Sequence, residues 1–210
     1  MPTAREALLN AALAALATLP WSGVRMVDVA ARAGVSRQTL YNEFGSKEGL
    51  ARALVRREAD AYLYGVDRVL AEDRAEPADR LADVAEWIVG QAHTRPLLRA
   101  LLTGCWEERL PTPRPARRAT FAVAVPAQRR ADAGTPAPAE LAEAVRDRSL
   151  AALHGSADAY RCELAVRLAL SYVLAPGADG VGQLVRTAVR ATADRGNPGV
   201  SGTSPTAEGQ

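Results

Sequence analysis

Residues 36–42 read Ser-Arg-Gln-Thr-Leu-Tyr-Asn, and their side chains carry the chemistry needed to read a nucleic-acid duplex. Arg37 can bond guanine bidentately, Gln38 can do the same with adenine, and the methyl of Thr39 can touch the thymine methyl. Tyr41 and Lys47 offer a hydroxyl and an ammonium suited to phosphate oxygens. A polar face on a small helix is also what plain solvation would produce, so the elements around it decide what these residues are for.

Those elements are legible from 26 to 50. Val29, Ala30 and Ala33 make one side of a short helix, which Gly34 ends as a left-handed cap residue would. Ser36 is a good N-cap for a second helix, because its hydroxyl can accept an orphan backbone N–H. Leu40 and Phe44, four apart, face inward, and Gly45 closes that helix after about two turns. Ser46 caps the next helix, with Glu48 in a first turn where a carboxylate suits the helix dipole. Helix, glycine turn, helix, glycine, helix is a helix-turn-helix, whose second helix can enter a major groove. Arg37, Gln38, Thr39, Tyr41 and Asn42 are left to face outward or sideways.

The rest of the chain keeps a helical period, with no convincing strand alternation. Leu8, Leu9, Ala12, Leu13 and Leu16 form a stripe before Pro20. The helix after Ser46 extends to about Leu70; Leu81, Val84, Ala85, Ile88 and Ala92 mark another after Pro77, and Pro96 opens a helix expected to carry Leu97 to Cys105. Six of the 13 prolines fall in 111–139, which predicts at most a short or kinked helix at 116–132. Two helices follow at roughly 138–154 and 158–175, then one at about 180–193. The helix at 158–175 is apolar on nearly every side, as expected for one buried all round. Residues 195–210 are rich in Gly, Pro, Ser and Thr and are expected to be a disordered tail. The fold class is therefore all-α: a helix-turn-helix domain over 1–50, a larger helical domain over 51–194, and the tail.

Composition narrows the classes. Across 210 residues, 48% are hydrophobic and 24% charged, as in an ordinary globular chain. No run approaches a membrane span, and Arg5 and Glu6 do not fit a secretory signal, so a cytoplasmic protein with no membrane partner is expected. Two cysteines, Cys105 and Cys162, exclude a disulfide scaffold. Two histidines leave few ligands for a metal, and no cofactor is implied. The net charge of +2 sits in residues 1–60, which hold eight basic and six acidic groups against 18 and 18 beyond. That asymmetry is a weak pointer to a polyanion at the N-terminal end. Enzyme chemistry is not expected: there is no Gly-rich phosphate loop and no nucleophile elbow, and Glu107-Glu108 are adjacent and diverge on a helix.

Ala30, Ala33, Gly34, Val35, Ser36, Thr39, Leu40, Tyr41, Phe44, Ser46, Lys47, Glu48 and Leu50 together resemble the N-terminal signature of the TetR family of bacterial transcriptional regulators. The resemblance covers about residues 5–55, a quarter of the chain. It implies a homodimer with a three-helix DNA-binding domain and a larger helical domain that holds a small ligand. Carried over by position, it implies that Arg37, Gln38 and Thr39 read bases, that Tyr41, Asn42 and Lys47 hold the backbone, and that Ser36 caps the recognition helix. Two positions depart from the family pattern. Met26 stands where a threonine often meets phosphate, and Glu43 stands where histidine is common; its carboxylate is expected to turn away, toward an arginine.

The implied protein is a ligand-responsive repressor on a palindromic operator. Its dimer surface is expected on the helices at about 138–154 and 158–175, because few other helices remain to cover the second. A ligand that prefers one orientation of the helix from 46 to about 70 would change the separation of two recognition helices. An apolar or amphipathic effector is expected, with Trp87, His93, Trp106, Phe121 and Tyr172 as candidate pocket residues. Each also has an ordinary packing explanation. The remaining alternative is a helical interaction protein that has the fold without DNA binding.

Overall fold

The computed structural model describes residues 3–72, 76–113, 134–153 and 159–195, and among these every regular element is helical. In chain order they are α1 (Ala4–Leu16), a short 3-10 turn (Trp21–Gly23), α2 (Met26–Arg32), α3 (Arg37–Phe44), α4 (Lys47–Leu70), α5 (Pro77–Thr94), α6 (Pro96–Thr103), α7 (Pro138–Ala152), α8 (Ala159–Leu174) and α9 (Val181–Arg195). The expected helix at 116–132, Phe121 and the tail beyond Arg195 lie outside the described residues.

Two apolar clusters divide the chain. Leu8, Leu9, Val29, Leu40, Phe44, Leu50 and Leu54 belong to the first. The second begins at Val55 and gathers α4 to α9 around Tyr62, Leu81, Ile88, Leu98, Leu141, Val166 and Val185. The dividing point falls inside α4, so one continuous hydrogen-bonded rod belongs to both cores.

Helix ends follow local chemistry. Thr3 and Glu6 form a reciprocal capping box at the start of α1, with Thr3 N donating to Glu6 Oε2 at 2.7 Å and Glu6 N to Thr3 Oγ1 at 3.2 Å. α5, α6 and α7 each begin with a proline in the first turn, where the missing N–H has no helical partner to lose. Arg80 on α5 donates to the carbonyls of Leu70 and Ala152, so one guanidinium satisfies the last turns of both α4 and α7.

Two expectations need correction. α6 stops at Thr103, because Gly104 adopts a left-handed conformation (φ +72°) that terminates the helix. Cys105 and Trp106 therefore lie beyond the helical stripe, and Cys105 is exposed. The helix at 158–175 is also not apolar on every side. α8 buries Cys162, Ala165, Val166, Ala169 and Val173 against α5, α7 and α9, while Arg167 and Tyr160 face out. One chain thus supplies enough helices to cover the buried side.

Candidate nucleic-acid interface

α3 is held from behind and open in front. Leu40 and Phe44 are 0% and 1% exposed, packed among α1, α2 and α4. Burying each contributes roughly 1.5–3 kcal/mol, enough to fix the rotation of a two-turn helix. That rotation leaves Arg37, Gln38, Tyr41 and Asn42 exposed on one edge, with Thr39 and Lys47 half-buried at its sides. The ends are equally defined: Gly34 (φ +68°) turns the chain out of α2, and Gly45 (φ +69°) turns it out of α3. Ser36 Oγ accepts from Thr39 N at 3.0 Å and lies 2.9 Å from Thr39 Oγ1, so it caps α3 as the sequence requires. Ser46 Oγ accepts from Gly49 N at 3.1 Å and starts α4.

The polar edge is in different states of readiness. Arg37 is exposed and makes no ion pair among the described residues. Gln38 Nε2 donates to Asn42 Oδ1 at 2.8 Å, an i,i+4 bond that a base or phosphate would have to replace. Lys47 points its Nζ at the carbonyl of Ser22, 3.1 Å away, and 5.3 Å above the Trp21 ring. Burial pushes its ammonium below the ordinary lysine value. Glu43 turns off the edge: Arg5 Nη1 lies 3.3 Å from its Oε2 and donates to its carbonyl as well. The same guanidinium sits 4.7 Å from the centre of the Phe44 ring. Arg5, Trp21 and Ser22 were not among the residues singled out from the sequence. They act across separations of 25 to 38 residues, for which no local pattern exists.

The described candidate pocket residues sit in different surroundings. Trp87 is half-buried and stacked on Tyr62, with ring centroids 5.8 Å apart. It fills the notch left by Gly65, where an added Cβ would stand 2.1 Å from the indole. That geometry makes it a packing residue between α4 and α5. His93 is exposed in the last turn of α5, and Tyr172 lies half-buried beside Gly177. Trp106 lines a small cleft of about 240 Å³ with Cys105 and Leu174.

A bundle that presents one short helix edge-on, between two glycine-closed turns, defines a helix-turn-helix protein. Residues 8–54 match the family described as bacterial regulatory proteins, tetR family, and over that stretch the chain carries the N-terminal domain of that family. It is 36% identical over 100 residues to the HTH-type transcriptional regulator AlkX of Mycobacterium tuberculosis, a match that spans 48% of this chain and 47% of that protein. The fold is similar to the crystal structure of the TetR-family repressor AlkX from a Dietzia species, implicated in n-alkane biodegradation. There the TM-score is 0.52 at 20% identity, over 90% of this chain and 95% of that one. A TetR-family regulator from Streptomyces coelicolor gives 0.50 at 19% identity, covering 92% and 81%. No helix among the described residues is long and apolar enough to cross a membrane.

Proposed function

We propose that the protein is a sequence-specific DNA-binding repressor, working as a homodimer on a palindromic operator and released by a small apolar or amphipathic molecule. The observation that carries this reading is the anchoring of α3: two buried side chains aim its Arg37, Gln38, Tyr41 and Asn42 edge outward as a set. Residues 1–50 would bind the duplex and 51–194 would pair the chains and hold the effector, leaving the 195–210 tail outside both. Base reading falls to Arg37, Gln38 and Thr39, and backbone holding to Tyr41, Asn42 and Lys47, with Ser36 keeping the helix start in place. Lys47 reaches a phosphate by exchanging the Ser22 carbonyl for it. A single α3 reads too few bases for high specificity, which is the physical reason for a twofold pair.

For the pairing surface we favour α7 with α8. Away from its buried side, α8 exposes Tyr160 and Leu174 at 65% and 57%, apolar area that a second copy would cover. Sedimentation of a dilute sample as a monomer would remove this assignment. For the effector, Trp106 is the best placed of the expected residues. Phe121 lies outside the described residues.

The decisive experiment is operator binding across a salt series, with and without Arg37→Ala. Affinity should fall steeply as salt rises. The variant should lose about 1–3 kcal/mol of specific binding and tolerate any base at one operator position, with its thermal unfolding unchanged. Unaltered operator affinity in that variant would show that α3 does not read the duplex.

A further inference from the structure

We propose that Arg5, in the first turn of α1, is a positioning residue for duplex binding. It acts through Glu43, compensating and turning aside the carboxylate of α3 so that this helix meets phosphates without a repelling charge. The inference rests on the DNA-binding reading above and adds to it a residue outside the helix-turn-helix. One guanidinium makes three contacts with α3. Arg5 Nη1 lies 3.3 Å from Glu43 Oε2 and donates to the Glu43 carbonyl at 3.3 Å, and Arg5 Cζ stands 4.7 Å from the centre of the Phe44 ring. Helix chemistry in α1 does not account for an arginine here, because a cation in a first turn opposes the helix dipole.

Position gives the pair its consequence. Glu43 stands four residues after Thr39 and next to Asn42, one turn along from a residue assigned to base reading and beside the exposed edge. An uncompensated carboxylate there would meet the phosphates that Tyr41 and Lys47 are to hold, and like charges brought together across an interface cost affinity. α3 has no basic residue in its own last turn to offset that charge. The last turn of a helix also carries carbonyls without helical partners and the negative end of the dipole. Arg5 serves both needs from one nitrogen, which bonds the Glu43 carbonyl and its carboxylate. The Phe44 ring, fixed in the core, holds the guanidinium in place from below. The two side chains are 26% and 30% exposed, and a pair that solvent reaches adds little to stability. Its larger effect is where it puts charge.

The probe for the test is a duplex of about 30 base pairs, room for two half-sites, enriched by the unmodified chain from a random-sequence pool. Arg5→Met keeps an apolar stem over Phe44 but drops the charge, and should weaken binding of that duplex about tenfold. Adding Glu43→Gln removes the released carboxylate and should restore affinity to within about threefold of the unmodified chain, with the same dependence on salt. Glu43→Gln alone should tighten binding by about threefold, a gain that shrinks as salt rises. A double variant as weak as Arg5→Met would show that Arg5 acts by holding α3 in place or by touching phosphate itself. Either result overturns the proposal, and a salt slope lower by about one per chain marks the phosphate contact. Full affinity in Arg5→Met, or weaker binding by Glu43→Gln, overturns it as well. The Glu43→Gln measurement decides the matter if Arg5→Met does not fold. A pool that yields no enriched duplex removes the DNA-binding reading and this inference with it, while an enriched duplex whose affinity ignores both residues removes the inference alone.

Discussion

The α5–α9 packing surface and the exposed edge of α3 treat their arginines differently. In the C-terminal body some arginines bridge helices: Arg186 of α9 lies within 4 Å of Asp79, Asp83 and Glu86 on α5, and Arg148 of α7 pairs with Asp67 of α4. In the N-terminal unit Arg32 and Arg37 stand exposed with no ion pair among the described residues, and the one carboxylate on α3 is drawn off by Arg5. The first pattern glues helices together. The second keeps an edge cationic and available. Counting arginines would have missed this, since the chain holds 25 of them with one lysine.

The contrast can be tested from its largest consequence down. Phe44→Ala removes the ring that pins α3 and should cost about 3–5 kcal/mol, unfolding the N-terminal unit first; amide exchange should report α1–α3 opening while α5–α9 stay protected. Equal loss of protection in both regions would show that the two cores melt as one. Gly65→Ala drives a methyl into the Trp87 indole and should cost about 1–3 kcal/mol, read by thermal unfolding, with operator binding intact in the surviving fold. Ser36→Ala removes the cap on α3 and should cost about 1 kcal/mol, with a matching loss of operator affinity as the first turn frays. The smallest effect is acidic. Hydrogen bonds from Thr3 hold the Glu6 carboxyl below its ordinary value, so its contribution is present above that value and fades as pH falls through the lowered one. Exchange at the first amides of α1 should quicken over that window and nowhere else.

What could be read from the sequence was local. Gly34, Ser36, Gly45 and Ser46 announce α2–α4 within a dozen residues, because caps and left-handed turns involve neighbours along the chain. Leu40 and Phe44 follow from helical period alone. The surroundings of Trp87 and Trp106 were not legible in the same way. Trp87 sits where it does because of Gly65, Trp106 leaves its expected helix because of Gly104, and Glu58 meets Arg95 only once α4 and α5 have packed. Aromatic residues satisfy a core and a cavity equally well, so their type carried little information about which they would line.

The 24 residues of α4 form a rod of about 36 Å, since each residue adds about 1.5 Å. Pivoted near Leu70, where Arg80 grips it, a tilt of about 5° sweeps the Lys47 end by about 3 Å. That is close to the rise of about 3.4 Å between successive rungs of a duplex. On the DNA-binding reading proposed above, a tilt that small would put α3 out of register by nearly one base pair.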